Sequence, residues 1–273
     1  MVLESLINPS EARKSSWSLF FLGIIYFSAA LILSVLIFPN QAGIFTIFLT
    51  TLAAAPLFVL LLKEEEYLSI NLIEKKMPIF KNNIDIISAF FFLFLGFTIA
   101  AITWFCFLPN NLFQIAFNEQ LNEIQTIQSM ASAKIVFDGL FKLILFNNLR
   151  VLFFCFLFSL IYGAGAVLIL AWNASVLGTA VGLFIREKMS ADASAVAIFL
   201  SNLPFGLGQY MFHGTFELLA YFIASLAGGV LSASIIRKTY KNNNFFKLFK
   251  NIIFLLSISI FLIILAAFIE VNI

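Results

Sequence analysis

The stretch Asn202-Leu203-Pro204-Phe205-Gly206-Leu207-Gly208-Gln209-Tyr210-Met211-Phe212-His213-Gly214-Thr215-Phe216-Glu217 leads into an apolar run that ends at Gly228-Gly229. It carries the only histidine of the chain. On a helix His213 and Glu217 lie one turn apart on one face. That face continues through Ala220, Ala224, Ala227 and Gly228. One helix therefore carries a polar head above a seam of small residues. Small residues let a second helix approach closely inside lipid. Ionisable groups at the edge of a hydrocarbon layer are costly and need partners.

Composition sets the class. Of the 273 residues 62% are hydrophobic and 11% charged, and 36 are Phe. Soluble domains average about 45–50% apolar and about 25% charged residues. The expectation is one integral membrane domain over 1–273, an all-α polytopic transmembrane helical bundle. Its parts are three N-terminal spans (1–108), an amphipathic extracytoplasmic insertion (109–148) and a core (149–270). The net charge of +2 is scattered through membrane loops and implies no nucleic acid. Cys106 and Cys155 fall inside apolar runs and read as core residues.

Outward from the opening stretch, about seven spans are expected. They are Trp17–Phe38, Gly43–Leu62 with Pro56 inside it, Ile86–Leu108, a fourth from Leu149, Ala193–Gln209, Phe212–Ile236 and Ile252–Ile269. Arg13 and Lys14 before Trp17 imitate a signal peptide, but the apolar run is long, so an anchor that stays is expected. If 193–209 is re-entrant, the number is six. The fourth run continues to Ile185, too long for one straight crossing, so a break is expected near Asn173. Glu64-Glu65-Glu66 reads as a solvated charge run rather than a cation site. Between Asn111 and Phe146, Phe113, Phe117, Ile124, Ala131 and Ile135 recur at helical spacing, with Glu119, Asn122, Glu123 and Ser129 opposite. This is an amphipathic interfacial helix, a strut or a lid over a site.

Seven spans with a cytoplasmic N-terminus leave only Lys134, Lys142 and Arg150 of the 16 Lys and Arg outside. That orientation, in a plasma membrane with the C-terminus extracytoplasmic, brings Asn147, Asn148, Arg150, His213, Glu217 and Glu270 to one depth. Asn202 and Gln209 lie towards the same side, and Asn173 is a further polar group within the spans. The cluster reads either as a structural lock, with Arg150 neutralising one or both glutamates, or as a binding or proton-coupling site. Gly163, Gly165, Gly178, Gly182, Gly214, Ala224 and Gly228 are the expected helix-packing positions.

Several of these residues also resemble a known family. Asn147-Asn148-x-Arg150-Val151, Gly163-Ala164-Gly165-Ala166, Trp172-Asn173-Ala174-Ser175, Gly178 and Gly182 resemble the middle of the stage II sporulation protein M family. His213-Gly214-Thr215-Phe216-Glu217 is similar to its Pro-His-Gly-x-x-Glu-x-Pro motif, with Phe212 and Leu219 in place of the prolines. Ala266-Ala267-Phe268-Ile269-Glu270 resembles its C-terminal helix end, and the start of the chain with Phe38-Pro39 resembles the archaeal branch. The resemblance implies a membrane-complex subunit; spore-forming members work with peptidoglycan-degrading partners. An archaeal relative would not share that cell-wall substrate.

Three functions are weighed. A non-enzymatic scaffold or subunit of a membrane complex, in envelope or membrane organisation, fits the small-residue seams. A transporter or channel for ions or small solutes fits the polar cluster and the broken helices. An enzyme is not expected: no His-Glu-x-x-His, no Gly-x-Ser-x-Gly and no phosphate loop is present, and Asp85 and Asp138 are isolated. No catalytic residue, metal or cofactor is expected. The expected partners are the lipid bilayer, other membrane or envelope proteins, and further copies of the chain.

Overall fold

A computed structural model describes residues 16–74, 80–132, 137–162, 165–189, 194–238 and 245–272. The described residues are almost all helical, without a strand. In chain order the helices are α1 (Ser16–Ile37), α2 (Ala42–Glu74), α3 (Phe80–Phe107), α4 (Asn110–Ala116), α5 (Asn118–Ser132), α6 (Phe137–Tyr162), α7 (Ala166–Arg186), α8 (Ala195–Ile236) and α9 (Phe245–Val271). Eight segments are long and apolar enough to cross a membrane. Hydroxyls inside these helices bond to their own backbone: Thr50, Thr98, Ser225 and Ser259 each donate to the carbonyl four residues earlier. A helix in an apolar medium can carry Ser and Thr on those terms.

Close approaches set the directions. Gly23 of α1 crosses Gly96 of α3, and Trp104 Nε1 donates to Ser28 Oγ at 2.9 Å further along both helices. Gly178 of α7 rests on Ala101 and Gly182 on Phe105. So α1, α3 and α7 run one way. In the opposite sense, α2, α6 and α8 run together: Leu62 lies on Gly229, Glu66 reaches Arg237, and Gly228 lies against Phe156 and Ser159. Phenylalanine fills the space between the sets. Phe58, Phe90 and Phe222 stack in a row, with ring centroids 4.5 and 5.9 Å apart.

Two expected breaks fall elsewhere. The chain does not break near Asn173. That residue sits inside α7, and its amide donates to the Ile169 carbonyl of the same helix at 2.8 Å. α7 instead begins at Ala166, after Gly165. A Cβ on Gly165 would run into the Phe158 carbonyl, so the chain can turn there only without a side chain. The fourth span is therefore two, and it begins earlier than expected, near Gly139.

The second correction concerns the opening stretch. Among the described residues the expected fifth span is not a re-entrant loop: from Ala195 it shares the 42-residue α8 with Phe212–Ile236, while Ala195–Phe212 is by itself long and apolar enough to cross. Pro204 removes one amide donor, and in a long apolar helix that single loss does not stop propagation. At about 1.5 Å per residue α8 is about 63 Å long, twice the hydrocarbon thickness of about 30 Å.

The new turn at Gly165 and the merged α8 together keep α9 at the side first expected but move the loop after α7. Arg186 now lies at the same end as Asn110, with Nη2 donating to Asn110 Oδ1 at 2.6 Å. Its Nη1 donates to the carbonyls of Phe105 at 2.5 Å and Leu108 at 3.0 Å. The guanidinium also stands 3.9 Å from the centre of the Phe113 ring. Arg186 thus caps α3, a role its place in the sequence did not announce.

Candidate functional site

The polar head of α8 meets α6 and α9. Glu217 comes from α8, Asn148 from α6 and Glu270 from the last turn of α9. Asn148 Nδ2 donates to Glu217 Oε1 at 2.5 Å. The Tyr221 hydroxyl, one turn after Glu217, donates to Asn148 Oδ1 at 3.2 Å. The Glu270 carboxyl stands close enough to that of Glu217 for each to feel the other's charge. Asn148 and Tyr221 are almost wholly buried, with exposures of 6% and 3%. Two neighbouring carboxyls in an apolar medium repel when both are charged, so donors such as the Asn148 amide matter there.

The other expected members fall at different places. Arg150 is exposed, with its guanidinium 6.0 Å from the centre of the Phe154 ring, and it is not among the partners of Glu217. It shares α6 with Asn148 but lies two residues on, and on a helix two residues apart means opposite faces. Asn147 is exposed and donates weakly to Asn148 Oδ1 at 3.4 Å. Asn173 serves its own helix. Asn202 accepts from Lys188 Nζ at 3.1 Å, beyond the start of the cluster's helix face, and Gln209 is exposed. His213 stands on α8 one turn before Glu217, and its side chain is outside the described residues. Gly163 is outside them as well.

The expected packing seam is present. Ala220, Ala224 and Ala227 have no exposed surface, and a Cβ on Gly228 would meet the Phe156 carbonyl. Gly178 and Gly182 pack on Ala101 and Phe105. Gly214 departs from the expectation: a Cβ there meets nothing within 4 Å. Close packing begins one turn lower, at Leu218.

A second polar cluster lies at the other end of α8. Glu66 Oε2 pairs with Arg237 Nη1 at 3.0 Å, and Glu65 and Glu66 have no exposed surface. The run 64–66 is therefore not a solvated face. α2 continues past the hydrophobic stretch to Glu74, and two turns beyond Leu57 and Phe58 its inward face is carried by these glutamates. Sequence reading missed Tyr221 and Arg237. Tyr221 had a signal, four residues after Glu217 on the same face; Arg237, 171 positions from Glu66, had none.

Among the described residues no three His, Cys, Asp or Glu converge as metal ligands, and Cys106 and Cys155 are free and buried. An apolar groove lined by Leu52, Ala55, Pro56, Val59, Leu60 and Lys63 lies on α2, where none of the cluster residues reaches it. What the arrangement offers chemically is a pair of neighbouring carboxyls and a buried ion pair, at the two ends of the buried half of α8.

The helices and the intramembrane carboxyl pair define a multi-pass, all-α membrane protein. Residues 89–273 match the model of the family described as Stage II sporulation protein M, and the chain belongs to that family. The match starts inside α3 and includes α6, α8 and α9, the three helices that build the site. No curated protein and no solved structure matches the chain.

Proposed function

We propose that the protein is a non-enzymatic scaffold or subunit of a membrane complex, and that the Glu217–Glu270 pair is a lock within it. The observation that carries this is where the hydrogen bonds of the pair go. Glu217 accepts from Asn148, Asn148 accepts in turn from Tyr221, and Glu270 of α9 stands beside Glu217, so polar groups of three helices gather at one point. Buried polar groups in such closed sets specify one arrangement of their helices.

The expected surroundings are a plasma membrane, other membrane or envelope proteins and further copies of the chain. A cytoplasmic N-terminus and an extracytoplasmic C-terminus remain the preferred orientation. Lys63, Arg237, Lys238, Lys247 and Lys250 gather towards the Arg237 end and support it. Arg186 and Lys188, at the opposite end, weaken the bias without reversing it.

The test compares Glu217→Ala with the parent in detergent and in proteoliposomes. A lock requires a lower melting temperature and no proton or ion flux that depends on Glu217. An unchanged melting temperature together with a lost flux would instead make the carboxyl pair a transport site, the reading that neighbouring intramembrane carboxyls favour.

A further inference from the structure

A third group of oxygens lies apart from both clusters, where α2 begins beside the corner between α4 and α5. Gly43 packs there so closely that a Cβ on it would strike Glu119 Oε2, with Gln120 Oε1 at 2.8 Å and the Ala116 carbonyl at 3.3 Å. Three oxygens converge beside one glycine. Glu119 Oε2 and Gln120 Oε1 are both buried and accept no hydrogen bond. Gln120 as a residue is 1% exposed.

The amide is held in this sense by its other end. Gln120 Nε2 donates to Ser175 Oγ at 3.2 Å, and the Ser175 proton goes to the Trp172 carbonyl at 2.8 Å. The oxygen of the amide therefore faces the carboxylate. Two unsatisfied acceptors side by side repel, and each loses its hydration on burial. Ala116 ends α4, and its carbonyl adds the negative end of a helix to the same place. A positive charge relieves all three at once. One carboxylate balances one unit of charge, and neutral carbonyl oxygens beside it suit a hard cation rather than a soft one.

We propose that Glu119 Oε2, Gln120 Oε1 and the Ala116 carbonyl bind a small monovalent alkali cation of the sodium type. Gly43, with no side chain, lets the three oxygens come together beside α2. The cation joins α2 to the α4–α5 corner, and through Gln120 and Ser175 it reaches α7.

The test uses the full-length protein in detergent, with choline chloride exchanged for sodium chloride at constant ionic strength. The melting temperature should rise with sodium, by about 5 °C once sodium reaches about 100 times its dissociation constant. In Glu119→Gln the new amide donates to Gln120 Oε1 in place of the cation, so the protein should fold and its sodium response should vanish. If that variant does not fold, Gln120→Met serves the same comparison. Equal melting of the parent in sodium and choline overturns the site. So does a stability that responds only to acidification, because a proton would then close the pair. A sodium response that survives in both variants places the ion elsewhere and also overturns it.

Discussion

The two halves of α8 are both apolar but have different surroundings. Ala195–Phe212 and Gly214–Ile236 are both apolar, with mean hydropathies of 1.2 and 1.9, yet 11% of the first window is buried and 78% of the second. Val196, Leu200, Phe205 and Phe212 of the first half are largely exposed. The second half is threaded between α2, α6 and α9. Hydropathy measures the preference for leaving water, which both halves share. What separates them is the seam Ala220, Ala224, Ala227 and Gly228, which lets other backbones come close.

The comparison can be broken most severely at Gly228. A leucine there must displace the Phe156 backbone, which cannot move as a side chain can. Gly228→Leu should cost about 3 kcal/mol or more, seen as a much lower melting temperature or as loss of a monodisperse peak in detergent. Next comes the polar head of the same half. Glu217→Ala leaves the buried Asn148 Nδ2 without its acceptor and should cost about 2–3 kcal/mol. Glu217→Gln keeps both a donor and an acceptor and should stay within about 1 kcal/mol of the parent. Equal losses in the two variants would show that shape, not hydrogen bonding, holds the site together.

Arg237→Ala removes the partner of buried Glu66. Because Arg237 is 38% exposed, water replaces part of what is lost, and about 1–2 kcal/mol is expected from chemical unfolding. The smallest effects belong to the open side of the helix. Gly214→Ala has free space for its methyl group and should stabilise by about 0.5–1 kcal/mol. If it destabilises instead, something outside this chain lies against Gly214.

The sequence carried the class and much of the site. Helical spacing and depth group Asn148, Glu217 and Glu270 at one level of the bundle. Arg150 was grouped with them by depth alone, and depth does not say which face of a helix a residue takes. The chain turns at Gly165 rather than at Asn173 because a backbone collision with Phe158 requires a glycine, whereas an Asn in a helix can donate to its own carbonyl. Pro204, Gly206 and Gly208 read as an interruption, but one proline removes one amide donor and α8 runs through all three. The burial of Glu65 and Glu66 depends on a helix that outruns its apolar stretch and on an arginine from far along the chain. No local pattern contains either fact.

The cap on α3 has a consequence for biosynthesis. Leu108 and the Arg186 that bonds its carbonyl are 78 positions apart. At about 5–20 residues per second of synthesis, the arginine emerges about 4–16 s after the carbonyls it serves. During that interval the end of α3 must keep its carbonyls hydrated at the membrane surface. α3 is completed only when α7 has been made, so the order of translation leaves this part of the bundle provisional until a later helix arrives.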